Sequence, residues 1–278
     1  MMRSLVLASG ALFLVGCGGA TPLLHPAHVL APGEIRAEAG IAARAVVGNL
    51  GDSLKGATNE AANDKALGQD PCALGCSTTY AQGALVAAAM APDLSPVAGA
   101  RVGVGAEFEG GIMYTGRGAR IDLRRAFALG KRPTAWALSV GLGVDFAFEG
   151  RQNSNGLPDV DNANLFGVGG DLPVLLGWKS AANLYYVWLG ARFGYEHDTI
   201  QPRNSEAVPP GGQSTGPQLV GDRIAVGGLV GLAIGFRHVH VALELEADYA
   251  AVWGTFGGTT GRVDGLSLTP ATALWVDF

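Results

Sequence analysis

From residue 34 onward, apolar residues recur on every second position, with charged, polar or small residues between them. A period of two belongs to a β-strand, whose successive side chains point to opposite faces. The clearest stretch is His238 to Val252, where Val239, Val241, Leu243, Leu245 and Tyr249 share one face and His240, Glu244, Glu246 and Asp248 the other. Residues 135–148 repeat the pattern, with Trp136, Val140, Leu142, Val144 and Phe146 opposite Ser139, Gly141, Gly143 and Asp145. Eight further segments alternate similarly, at approximately 34–47, 97–108, 110–115, 118–127, 166–179, 184–197, 223–236 and 266–278. Ten strands are therefore predicted, or eight if 110–127 is one bent strand or a loop.

The connections alternate in length. Short ones fall near Glu109, at 130–133, at 180–183 and near Arg237, and long ones at 48–96, 149–165, 198–222 and 253–265, with 115–118 the one short member of the second set. Short turns on one rim and long loops on the other match an all-β, antiparallel up-and-down barrel. Alternation does not say which face is inside, since a soluble barrel hides its apolar face and a membrane barrel exposes it. Most candidate strands, at about 12–15 residues, exceed the 9–11 needed to cross a bilayer, which favours a transmembrane β-barrel over a lipocalin-like one. The loop 48–96 is a long insertion, in which Thr78–Met90, TTYAQGALVAAAM, reads as a short helix ending before Pro92 and forming an outer cap.

Composition sharpens this picture. The 43 glycines among 278 residues are about 15%, roughly twice the usual share, and exclude a mostly helical chain. Only 15% of residues are charged, against a norm of about 25%, as expected of an exterior that faces lipid. The net charge of −5 argues against a nucleic-acid partner, which requires a basic face. Glycines such as Gly141, Gly143 and Gly231 fall on the polar face, where they leave room for long Arg and Glu side chains.

The N-terminus carries an export signal. Residues 1–16 place Arg3 before an apolar core from Leu5 to Val15, and Leu14-Val15-Gly16-Cys17 resembles the lipobox of bacterial lipoproteins. That resemblance implies cleavage before Cys17 and lipidation of Cys17. Residues 17–33, with Pro22, Pro26 and Pro32, then read as an extended tether to the barrel at 34–278. Cys72 and Cys76, in a polar segment of an exported chain, are expected to form a small disulfide loop. At the other end, Leu274-Trp275-Val276-Asp277-Phe278 resembles the C-terminal signal strand of Gram-negative outer-membrane β-barrels, with Phe278 as the terminal aromatic. Resemblance to this family implies an outer-membrane location, membrane lipids and the barrel assembly machinery as partners, and both termini on the periplasmic side. Aromatic residues near strand ends, Trp136, Trp178 and Tyr185 at one rim and Phe148, Tyr195, Tyr249 and Trp253 at the other, read as two girdles; Trp188 and Trp275 fall on the lumen parity instead.

With the apolar face outward, the lumen receives charges of both signs. Mixed charges in a narrow barrel pair and fill it, so a largely plugged lumen is expected, with Glu244 and Glu246 partnered by Arg120, Arg124 or Arg192. The alternative is a small pore for ions or solutes. An enzyme is the third reading, because Glu196-His197-Asp198 at the long-loop rim could supply a general base acting on lipid or peptide. No hydrolase, metalloprotease or phosphate-loop motif occurs, and no catalytic residue, cofactor or metal site is assigned.

Overall fold

The structure, a computed structural model, describes residues 19–69, 71–72, 75–130, 136–148, 157, 160, 163–202 and 217–278. The signal-like segment and Cys17 lie outside these residues. Strand β1 (Ile35–Val47) is followed by helices α1 (Asn49–Ala66) and α2 (Thr78–Met90), then by β2 (Asp93–Gly105), β3 (Phe108–Tyr114), β4 (Gly118–Ala128) and β5 (Trp136–Ala147). The chain ends with β6 (Ala163–Lys179), β7 (Tyr185–Pro202), β8 (Leu219–Phe236), β9 (Val239–Phe256) and β10 (Thr259–Asp277). Each strand pairs antiparallel with its sequence neighbours, and β1 closes on β10 through pairs such as Ala39 with Leu274. The result is a closed up-and-down barrel of ten strands, in which β3 and β4 are separate and the eight-strand alternative does not occur.

The side chains supply what periodicity left open. Leu243 and Leu245 on β9 are 52% and 46% exposed, whereas Glu244 and Glu246 beside them are 4% and 1% exposed. The apolar face is outside. Trp136 lies across from Trp178 between β5 and β6 near the short-turn end, and Tyr195 and Tyr249 face outward toward the other. Trp188 and Trp275 are fully buried inside. Glycines on the inner face have the spatial role expected of them: a Cβ on Gly143 would overlap the Arg120 guanidinium, and one on Gly231 the Trp188 ring.

Three expectations need correction. Residues 253–265 are not a long loop: β9 and β10 run on to a two-residue turn at Gly257 and Gly258, whose positive φ values of 56° and 82° suit a tight hairpin. The wall is consequently tall at β7–β10, with strands of 18 or 19 residues, and low at β3, with 7. The helix at 78–90 has the expected bounds, but it sits inside the barrel mouth rather than capping it from outside. The Ser77 side chain accepts the Tyr80 amide at its start, and Tyr80, Leu85 and Met90 pack with Ile200, Leu219, Val252 and Phe256. The 18-residue α1 that lies against α2 was not expected, because its buried face is only Leu50, Ala57 and Ala61 in a polar sequence. Cys72 and Cys76 are joined by a disulfide just ahead of α2.

The third correction concerns residues 19–33, read from sequence as a tether outside the barrel. They lie within it. Gly19 donates to the Ala91 carbonyl at the long-loop end, and Gly33 donates to Gly103 at the short-turn end. Phe278 exchanges main-chain bonds with Ile35 at the short-turn end, so Gly19 and Phe278 stand at opposite ends of the barrel. No helix among the described residues is long and apolar enough to cross a membrane.

Candidate functional site

Eight inward charged residues form one alternating chain. Arg124 donates to Glu109 at 2.7 Å, Arg101 donates to Glu109 at 2.5 Å and also to Asp122, and Arg120 donates to Asp122 at 2.5 Å. Arg120 then holds Asp171 with two bonds of 2.9 Å, and Arg192 joins Asp171 at 2.5 Å to Glu246 at 3.4 Å. Four arginines and four carboxylates thus alternate across β2, β3, β4, β6, β7 and β9. Each arginine is flanked by opposite charge, the condition under which buried ions are tolerated. Removing one member would strand its partners.

The segment 19–33 lies against this chain and is bound mainly through its backbone. It has no regular secondary structure, so its amide and carbonyl groups need outside partners. Glu244 accepts the amides of Leu23 at 2.7 Å and Leu24 at 3.0 Å, and Glu109 accepts the Leu30 amide at 2.8 Å. Arg192 donates to the Thr21 carbonyl at 2.6 Å, and Arg124 donates to the carbonyls of Pro26 and of His28, the latter at 3.0 Å. Leu24 has φ of 53°, a left-handed conformation that turns two successive amides toward one carboxylate. Leu23, Leu24 and Ala27 pack with Trp188, Tyr186, Leu229 and Trp275.

Below the segment the lumen narrows to an aromatic floor. Trp188 and Trp275 stack with centroids 5.9 Å apart, Tyr186 meets His240 edge-on at 5.4 Å, and the Arg36 guanidinium lies 4.3 Å above the Trp275 ring. Outside this floor, between residues 28–32 and the short turns, is a cavity of about 580 Å³ bordered by Arg36, Lys179, Tyr186, Arg237 and Asp277.

The long-loop end is held differently. Helix α2 satisfies its own backbone except at its two ends; Ser77 caps the first, and two arginines reach the carbonyls of the second, with Arg117 donating to Ala88 at 2.5 Å and Arg44 to Met90 at 3.1 Å. Arg117 also pairs with Glu196 at 3.1 Å and Asp198 at 2.6 Å. The run Glu196-His197-Asp198 is thereby divided: both carboxylates face inward, and His197 faces outward to Asp222 on β8 at 2.9 Å. Asp222 also accepts the Tyr195 hydroxyl at 2.6 Å. His197 therefore has neither of its sequence neighbours as a partner.

Of the expected network, Arg120, Arg124, Arg192 and Glu246 belong to the one chain of charges. Glu244 does not pair with an arginine; it serves the Leu23 and Leu24 amides and the Trp188 indole N–H at 3.0 Å. By sequence spacing Glu109 and Arg117 read as turn and loop residues. Glu109 shares parity with the inward Met113, and that parity was the signal available for it.

These features define a closed antiparallel barrel with an apolar exterior, a charge-paired interior and an internal segment bound along its lumen. No protein family matches the chain, and no curated protein is similar to it in sequence. Among solved structures it is similar to Neisserial surface protein A, at 10% identity and a TM-score of 0.34 over 88% of this chain and 96% of that one. It is likewise similar to Ail, the attachment invasion locus protein of Yersinia pestis, at 8% identity and a TM-score of 0.33 over 89% of this chain and 99% of that one. OprB of Pseudomonas putida follows at 9% identity and a TM-score of 0.19, over 67% of this chain and 60% of that one. At such scores the barrel architecture rests on the chain's own closed ladder of strands.

Proposed function

We propose that this protein is an exported outer-membrane β-barrel with a structural or interaction role, lipidated at Cys17, whose lumen is plugged by its own residues 19–33 rather than open to solutes. The observation that carries this reading is the sign of the faces. On β9 the outward residues from Val239 to Tyr249 are apolar, and ten residue steps at about 3.3 Å, tilted by about 40°, cover roughly 25 Å, the height of a barrel's lipid-facing band. The same strand directs Glu244, Glu246 and Asp248 inward. The plugged reading is supported by the paired charges and the bound segment that cross the lumen. Phe278, at the end of β10, is the element the assembly machinery reads.

The test has two parts. Purified protein in detergent should shift in gel mobility on heating, and in planar bilayers the full chain should show no steady conductance. Steady conductance would favour the second reading, a small pore, for which the cavity of about 580 Å³ at the short-turn end is the supporting observation. Mass analysis of the N-terminal peptide checks lipidation, with Cys17→Ser expected to lose the acyl groups.

A further inference from the structure

The contacts of residues 19–31 have the form of a ligand in a site. Charged side chains of four strands, Glu109, Arg124, Arg192 and Glu244, take three amides and three carbonyls of the segment. Among those contacts none depends on the segment's own polar side chains. Leu23, Leu24 and Ala27 supply the segment's apolar contacts, and a charged wall that meets main-chain atoms serves any extended peptide of the same apolar pattern, which is how such a peptide is read without regard to most of its sequence. Two successive amides on one carboxylate fix the register, and the pocket that buries Leu23 and Leu24 beside Trp188 prefers apolar side chains there. The segment is tied covalently to the barrel at its short-turn end, where it turns at Gly33 (φ 84°) into β1. The cavity of about 580 Å³ opens against its residues 28–32 at that same end.

We infer that the lumen wall formed by Glu109, Trp188, Arg192 and Glu244 is a binding site for an extended apolar peptide, which residues 19–31 occupy in cis and which the same peptide occupies in trans once they are displaced. This rests on the plugged-lumen reading. The reversible exchange involves no covalent step.

The full chain carrying Leu23→Asp and Leu24→Asp, which puts two charges into the apolar pocket and leaves the wall intact, is expected to conduct in planar bilayers. A synthetic peptide of sequence GATPLLHPAHVLA, residues 19–31, added on the short-turn side should abolish that conductance. The same peptide N-methylated at the amides of Leu23 and Leu24 lacks the donors to Glu244 and should need about tenfold or more higher concentration to block. Should the double Asp variant fail to give a heat-modifiable barrel, the gentler Leu23→Ala/Leu24→Ala replaces it. A conducting, folded variant that the peptide does not block, or that the N-methylated peptide blocks equally well, overturns the inference. A folded variant that stays closed overturns it too. Steady conductance of the unsubstituted chain defeats the plugged-lumen reading itself, a separate result.

Discussion

The irregular segment 19–33 is held through its backbone by charged side chains, whereas helix α2 in the long-loop half of the lumen is held by apolar ones, and strands β7 and β9 contribute to both linings. Strand β9 shows the change along its inward face: Glu244, Glu246 and Asp248 stand beside residues 19–33, and Ala250, Val252 and Phe256 beside α2. Backbone hydrogen bonding explains the difference. A helix satisfies its own amides and carbonyls except at its ends, so its surroundings need only be apolar, with Arg44 and Arg117 at the C-terminal carbonyls. An irregular segment removed from water satisfies almost none of its own, and its amides and carbonyls must be met by the wall. The charged lumen is thus explained by what it contains as well as by pairing among its own groups.

Four substitutions test this contrast. The largest effect is expected for Arg120→Ala, which leaves Asp171 and Asp122 buried without a shared cation; a loss of about 3–5 kcal/mol in urea unfolding of the detergent-solubilised barrel is expected. A loss below about 1 kcal/mol would mean that water reaches the charged half freely. On the apolar side, Leu85→Ala on α2 should cost about 3 kcal/mol by the same measurement, because Leu85 is buried among Val252, Phe256 and Leu219. An effect near zero would show that α2 is not packed in the mouth. Glu244→Gln keeps the shape but replaces one accepting oxygen by a donor, and should cost about 1.5–3 kcal/mol. Its distinguishing readout is faster hydrogen exchange at the Leu23 and Leu24 amides with α2 unchanged; equal acceleration in both places would dissolve the distinction between the halves. Ser77→Ala removes the N-cap of α2 and should cost about 1 kcal/mol, read as earlier proteolysis of 48–92 with the charged half unaffected.

How much was legible follows from the range of each interaction. The division of Leu243 through Asp248 between two opposite faces required only adjacent residues, since strand geometry turns sequence parity into a side of the wall. Helix α2 was readable from an alanine-rich stretch bounded by Ser77 and Pro92. The tips of β9 and β10 were missed because Gly254, Gly257 and Gly258 suggest a loop, yet a two-residue turn with positive φ requires glycine in a tight hairpin just as well. Arg117 was missed because its partners are the carbonyls of a helix some 29 residues away and carboxylates about 80 away.

Residues 19–33 mark the boundary most clearly. Three prolines and no periodicity correctly indicate a segment without regular structure, and that much is a local property of the chain. Its place inside the lumen depends on Glu244, 220 and 221 positions away from the amides it accepts. By itself the sequence determined the strands, their two faces, the glycine clearance beneath long side chains and the buried parity of Trp188 and Trp275. Only the tertiary structure decided that the apolar face is outside, that charges link into one chain across the lumen, and that Glu244 serves a backbone instead of an arginine. The reason is physical: alternation is written into each strand, whereas a partner for an unpaired amide is supplied by whichever distant strand the closed barrel brings opposite it.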